Sequence, residues 1–511
     1  MPIRVLIFHG YLLGGTGSNV YNASLAAAMR RMGHDVHLVC EDRGADRLDF
    51  VDAVGDWDSG ELRLRETGIP PADGSVTVYT PDIGGLLPVF VRDRYTGFEV
   101  KEFQELTEDE LANYIDTNVA AVREVAERAG GMDAALANHI VTAPVILHRA
   151  GLRFALAVHG SDLSYTVLPN LERFGPLAVE GARAAAGILV GSGHIAERLR
   201  LAVDEPDVNA KVALGPPGVD TEAFAPVPES DREGRLLDLA RTLAAIEPIP
   251  DRDAHERSSW DRDPAEAASA VEWFAGAEGP RVVFVGKLIV SKGVDLLLAA
   301  WPLVHAQSPG ARLMIAGFGG FRETLEDLWR GLGVGDAGAV AEIARRGRGL
   351  EGGEDAPLNH LAAFLAARPD GYDDAAREAA GSVGFSGRLE HDEVARLVPS
   401  CDSLVFPSTF PEAFGMVAAE AAAGGVLPVS AAHSGALEVS RELAADLPDA
   451  AAPLVSFQVG DGSVAEIAAN LNDWLALDPD TTAQARAALR ETAVRLWSWE
   501  GVARGVIEAS S

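Results

Sequence analysis

Residues 3–8 (Ile-Arg-Val-Leu-Ile-Phe) form a short apolar run broken only by Arg4, the pattern of a strand covered on both faces. A glycine-rich stretch, His9 to Asn19, follows. An alanine-rich helical periodicity then ends near Met32-Gly33, and a second apolar run spans His37 to Cys40. Strand, glycine loop, helix, strand is how a doubly wound α/β domain begins, and runs at 134–137, 154–158 and 187–190 continue it between helical patterns. A second series starts at Arg281–Val285 and repeats at Leu313–Ala316, Val383–Phe385, Ser403–Phe406 and Val426–Val429. The pattern predicts an α/β chain with two Rossmann-like domains, 1–226 and 280–491. Between them, 227–279 is rich in Pro, Asp, Glu and Arg and reads as a linker with a helical insertion. A second low-hydrophobicity stretch, about 331–380, interrupts the later domain, and its charged, glycine-rich part around Arg345–Asp355 predicts a mobile loop.

Composition narrows the partners. The 511 residues are 48% hydrophobic and carry a formal net charge of −33, which argues against nonspecific nucleic-acid binding and against docking on an anionic membrane. An anionic ligand would need its positive charge supplied locally. Lysine is rare: Lys101, Lys211, Lys287 and Lys292 are all there is, and two of them share one loop. Cys40 and Cys401 are too few for a disulfide framework or thiolate metal site and point to a reducing compartment. No run of 18 uninterrupted apolar residues occurs, so the expectation is a cytoplasmic protein without stable membrane insertion.

Three loops stand directly after strands. In Gly10-Tyr-Leu-Leu-Gly14-Gly15-Thr16-Gly17-Ser18, glycines precede a helix whose first amides can meet an anion. It misses G-x-G-x-x-G because Val20 holds the third place, although Glu41 and Asp42 follow the next strand where a ribose-binding acid would sit. The second, Gly286-Lys287-Leu-Ile-Val-Ser-Lys292-Gly293, sets two compact cations where a diphosphate could lie. In the third, Glu412 precedes a helix whose amides, near Gly415, Met416 and Val417, are free to face a phosphate, with Glu420 two turns further on. Read singly, these are a tight turn, a solvated loop edge and a common acidic spacing. His159, in Val158-His159-Gly160-Ser161-Asp162, ends another strand at the edge where open α/β sheets bind ligands, though a structural histidine is the ordinary reading. Asp-x-Asp occurs at 56, 251, 261 and 478, about as often as chance in so acidic a chain, and no metal site is drawn from it. Gly191-Ser192-Gly193 lacks the spacing of a nucleophile elbow.

Together these residues resemble the retaining GT-B glycosyltransferases of family 4. The resemblance rests on Gly14-Gly15-Thr16-Gly17, His159-Gly160, Pro217-Gly218-Val219-Asp220 to Phe224, Gly286-Lys287 to Lys292-Gly293, Phe385-Ser386-Gly387-Arg388-Leu389, Pro411-Glu412-Ala413-Phe414-Gly415 to Glu420, and Trp499-Glu500. It implies two Rossmann-like domains facing a central cleft: an acceptor domain, 1–226, completed by a C-terminal helix at about 492–511, and a nucleotide-sugar domain, 280–491. By the same resemblance Lys287 and Lys292 neutralise the donor diphosphate, Glu412 with the amides of Phe414, Gly415, Met416 and Val417 holds sugar and phosphate, and Glu420 binds the ribose. Backbone near Gly384 to Arg388 would meet the base, Gly15 and Gly17 the phosphates and acceptor, and His159 the donor sugar. The first cation of the phosphate loop is usually arginine in that family and is Lys287 here, so bidentate contact is lost.

The implied activity is hexosyl transfer with retention, from a UDP-sugar, or second a GDP-sugar, to a soluble acceptor, with no metal and no cofactor beyond the substrates. A homo-oligomer is compatible with it. Three alternatives stay open at this point: a disaccharide phosphorylase of the same fold, a noncatalytic sugar-nucleotide-binding protein, and an NAD oxidoreductase.

Overall fold

A computed structural model describes residues 2–14, 17–70, 72–90, 97–246 and 262–511. Two compact units divide the chain: residues up to Gly218 with Trp497–Ser511 form the first, and Val219–Leu496 the second.

The first unit holds β1 (Arg4–Phe8), β2 (Asp35–Val39), β3 (Ala53–Asp58), β4 (Glu61–Glu66), β5 (Ser75–Thr80), a separate pair β6 (Leu86–Val89) and β7 (Glu99–Glu102), then β8 (Ala134–Asn138), β9 (Ala155–Val158), β10 (Gly187–Val190) and β11 (Val212–Leu214). Nine of them make one sheet in the order β11-β10-β9-β8-β1-β2-β5-β3-β4. All its pairs are parallel except the hairpin β3–β4. Helices cover both faces, which is why Val5, Ile7, Val36, Leu38, Val76, Val78 and Leu136 are all buried in one cluster. The C-terminal helix, Trp499–Ala509, closes that cluster: the Tyr21 ring meets Trp499 edge-on at 5.5 Å. Gly218 lies flat against the same indole, and no larger residue would fit there.

The second unit holds β12 (Arg281–Lys287), β13 (Arg312–Phe318), β14 (Val383–Gly387), β15 (Ser403–Phe406), β16 (Leu427–Ala431) and β17 (Ser456–Phe457). They form one parallel sheet, β14-β13-β12-β15-β16-β17. The helix Val294–His305 runs beneath it with Val294 to Pro302 buried throughout. Its neighbours lock to it through polar groups: Trp301 Nε1 donates to Ser382 Oγ at 2.8 Å, and Tyr372 Oη to the Ala299 carbonyl at 2.8 Å.

Several expectations need correction. The helical insertion expected within the linker 227–279 is the pair Glu229–Ala244 and Pro264–Ala275, which pack on each other, the later one also on β13 and β14, so they belong to the second unit rather than to a linker. Their polar composition reflects one solvated face; Leu236, Leu239 and Leu243, and Val271 and Phe274, are buried. The stretch around Arg345–Asp355, expected to be a mobile loop, is closed on itself by a bridge between Gly347 and Ala356 and by Arg345 and Arg346 facing Asp355, each at 3.4 Å. Composition records charge there but not its pairing. Strands β3 to β5 had no apolar run to announce them, because β4 reads Glu-Leu-Arg-Leu-Arg-Glu with only Leu62 buried. Of the Asp-x-Asp pairs, Asp263 and Asp478 cap helices through backbone amides, and Asp58 pairs with Arg63 at 2.8 Å; the pair at 251 lies outside the described residues. Cys40 and Cys401 are free and buried. Among the described residues no helix is long and apolar enough to cross a membrane.

Candidate functional site

A polar cluster stands at the C-terminal ends of β12, β15 and β16. After β12 the chain crosses to a single turn, Val290–Lys292, and then to Gly293, whose φ of 65° is left-handed. A Cβ on Gly293 would collide with the Pro407 carbonyl oxygen, so both conformation and space demand glycine here. Gly293→Ala should therefore destabilise the second unit by about 3 kcal/mol, read as a lower urea midpoint; an unchanged midpoint would refute the clash.

That turn delivers Lys292. Its Nζ donates to Glu412 Oε1 at 2.6 Å and lies 5.5 Å from the Phe406 ring centre. Ser408 Oγ donates to the same Glu412 oxygen at 2.6 Å. The Glu412 backbone is held too: its N–H donates to Ser434 Oγ at 2.8 Å, and its carbonyl accepts from Gly435 N at 3.0 Å. His433 Nε2 donates to the Ser408 carbonyl at 2.8 Å, a partner that can only accept and so fixes the ring proton on Nε2. Ser434 sits at φ 50°, an uncommon conformation for a residue with a side chain, and Gly435 packs on the Ala413-Phe414 backbone too closely for any Cβ. Serine and glycine after a buried strand were the available signal for this support; neither His433 nor Ser434 was singled out from sequence.

Beyond Glu412, Phe414 is buried and Gly415, at φ 118°, heads the helix Met416–Ala423. The amides of Gly415, Met416 and Val417 have no carbonyl one turn back within the helix to bond to. Glu420, only 4% exposed, accepts from His391 Nε2 at 2.9 Å through one oxygen. Burial presses the His391 pKa down, but the Glu420 carboxylate, with Asp220 and Asp392 beyond it, outweighs burial and raises it. Phe224 flanks the His391 ring at 5.4 Å, which explains what the Pro217 to Phe224 motif contributes to this unit. Lys287 ends β12 opposite Phe318, and the Arg388 guanidinium lies 5.4 Å from the Phe318 ring centre. Gly384 does not join them. It lies near the N-terminal end of β14, and the Trp273 ring covers its α-carbon so closely that a Cβ would clash.

In the first unit, Gly17 opens the helix Gly17–Arg31, while Gly15 lies outside the described residues. His159 directly follows β9 and donates from Nε2 to Asn138 Oδ1 at 2.9 Å. Around it the structure gathers residues that sequence reading left aside. His9 is wholly enclosed, its ring nitrogens bonded to Asn19 at 2.9 Å and Asn22 at 3.0 Å. His139 stands at φ 67°, with its ring centre 4.9 Å from that of His159 and 4.6 Å from that of Phe90. Asp162 is fully buried and accepts from Ile140 N at 2.6 Å and Gly160 N at 3.0 Å, with His139 Nδ1 at 3.8 Å. Burial alone would raise the Asp162 carboxyl; its imidazole and amide neighbours more than offset that and lower it. Burial, reinforced by His139, lowers both His9, to about 3, and His159. These imidazoles are neutral near pH 7 and act there as hydrogen-bonding groups.

The profile of the family described as glycosyl transferases group 1 matches residues 373–493, and a second profile of the same description matches 279–346. The chain is 26% identical over 290 residues to the GDP-mannose-dependent alpha-(1-6)-phosphatidylinositol monomannoside mannosyltransferase of Mycobacterium tuberculosis, covering 56% of this chain and 60% of that one. It is 29% identical over 158 residues to an uncharacterized glycosyltransferase of Methanocaldococcus jannaschii, covering 31% of this chain and 28% of that protein. The chain thus spans between about a quarter and three fifths of the curated relatives it matches. Among solved structures, sucrose-phosphate synthase from Thermosynechococcus elongatus superposes with a TM-score of 0.54 at 16% identity over 98% of this chain and 97% of the other. HepE of Anabaena, solved with UDP, superposes with a TM-score of 0.54 at 16% identity over 99% of each chain. Residues 279–346 and 373–493 of the second unit thus match the glycosyl transferases group 1 profiles, and the chain has the GT-B fold.

Proposed function

We propose that the protein is a retaining glycosyltransferase that moves a hexosyl unit from a nucleoside diphosphate sugar to a soluble acceptor. The observation that carries this reading is the Lys292–Glu412–Ser408 cluster set against the amides that head the helix Met416–Ala423. As the glycosidic bond breaks, negative charge grows on the departing diphosphate. In this reading Lys292, Lys287 and the amides of Gly415 to Val417 stabilise that charge more than they stabilise the bound donor. Glu412, oriented by Ser408 and Ser434, offers its remaining oxygen to sugar hydroxyls, and the second oxygen of Glu420 faces the ribose. Retention follows from attack on the face the leaving group departs from, a path that demands no dedicated side-chain base. Charge stabilisation by lysines and amides makes the reaction metal-independent, so EDTA should leave the rate unchanged. A soluble acceptor is supported by the arginines of the first helix: Arg30 is held bidentately by Asp52 at 2.8 Å and Arg31 pairs with Glu500 at 3.2 Å, so each arginine has a carboxylate beside it rather than forming an uncompensated basic patch. UDP is the favoured base. The mannosyltransferase relative is named for GDP-mannose, so GDP is the second arm of the test.

Thermal unfolding with UDP, GDP, ADP and NAD checks the donor class. A nucleoside diphosphate at about 100 times its Kd should add about 2.7 kcal/mol and raise the midpoint by about 5 °C or more. Glu420→Ala and Lys292→Ala should abolish that shift. A shift with NAD alone would overturn the reading.

A further inference from the structure

Residues 337–379 add three helices to the second unit, Ala337–Arg346, Asn359–Ala367 and Tyr372–Ala379. Neither stretch matched by the family profiles includes 347–372. The loop between the first two helices is built to hold a shape. Arg348 N donates to the Ala356 carbonyl at 3.2 Å and Ala356 N to that of Arg346 at 3.1 Å. The Asp355 side chain fills the space where a Cβ on Gly349 would stand. From this loop Glu351, half-buried, accepts the Val290 N–H through Oε1 at 3.0 Å.

Val290 opens the turn that delivers Lys292, and Ile289 before it supplies no side-chain cap. The cap comes instead from a carboxylate 61 residues downstream. A single 3₁₀ turn is a weak structure by itself, with poor hydrogen-bond geometry and little burial. Tying its first amide to a carboxylate gives it a charge-assisted bond, stronger than a neutral one. We propose that Glu351 is a positioning residue: the 347–358 loop holds the Lys287–Gly293 segment in the conformation that receives the donor diphosphate. This rests on the nucleotide-sugar reading above. Where a binding conformation is only partly populated, apparent affinity falls by that fraction, so losing the tie should weaken donor binding while leaving the reaction of bound donor unchanged.

Calorimetric titration of the full chain with UDP and GDP, beside amide exchange across 288–293 without ligand, tests it. Glu351→Ala should weaken binding of the preferred nucleoside diphosphate about tenfold and speed exchange of the Val290 amide by a similar factor. The release of nucleoside diphosphate at saturating sugar nucleotide should keep the wild-type rate, placing the loss in KM. Glu351→Gln, which retains an acceptor oxygen, should recover most of the affinity, and a purely structural loss would show no such rescue. Wild-type affinity in Glu351→Ala, or an unprotected Val290 amide in the wild-type protein, would overturn the proposal and leave the functional reading standing. No binding of UDP or GDP by the wild-type protein would overturn both.

Discussion

Lys292→Ala is expected to lower kcat/KM for nucleoside diphosphate release from the sugar nucleotide by about 10²–10³, the usual worth of one preorganised group at a developing charge. The same change should move the thermal midpoint little. Lys292 and Glu412 are each about one fifth exposed, at 22% and 20% of the side chain, so their ion pair is partly screened and contributes on the order of 1 kcal/mol to folding. This asymmetry separates catalysis from structure: a large rate loss at unchanged stability supports the diphosphate role, whereas equal loss of both would make the pair structural. Glu412→Ala adds a second reading. It removes the acceptor for both Lys292 Nζ and Ser408 Oγ, leaving the lysine unanchored, so it should abolish transfer as well. Near-normal rates in both variants would sink the site.

The second large effect is on acid stability. Burial holds His9 neutral, with a pKa of about 3 against an ordinary 6.5. Between those values the unfolded chain takes up a proton that the folded chain refuses, so stability is full above pH 6.5 and declines as pH falls toward 3. The loss attributable to this one imidazole is about 2.7 kcal/mol by pH 4.5 and about 4 kcal/mol by pH 3. The lowered His159 and Asp162 act in the same direction in the same unit, Asp162 below the ordinary carboxylate range. Asp295 in the second unit acts oppositely: burial raises it to about 7, so its share of stability is lost as pH rises. The informative measurement is therefore the difference between wild type and His9→Gln in midpoint against pH. The variant should be less stable at pH 7.5 and the gap should shrink steadily below pH 6.5. Parallel curves would show that His9 does not carry the effect.

The architecture was legible because parallel strands covered by helices read as apolar runs, and those runs mark β1, β2, β8, β9, β10, β12, β13, β14, β15 and β16. The loop proposed to meet the diphosphate stood out for a different reason, since Lys287 and Lys292 are two of the few lysines in the chain. What faded was everything whose meaning depends on a distant partner. Gly384 looked like ligand-facing backbone until Trp273, from a helix that composition had assigned to a linker, was found packed over it. The stretch around Arg345–Asp355 read as a mobile loop, yet Arg345 and Arg346 face Asp355 across a closed loop.

By itself the sequence determined two parallel α/β sheets, the loops at their strand ends and the residue types those loops carry, because local periodicity and loop chemistry are properties of neighbouring residues. Only the tertiary structure decided which side chains meet. It joined Lys292 to Glu412 across 120 residues, Glu420 to His391 across 29, and Glu351 to the Val290 amide across 61. It also gathered His9, His139 and the His159–Asp162 segment from three separate stretches of the chain. Such encounters are set by strand order and by which buried polar group finds a partner, and no one-dimensional pattern records either.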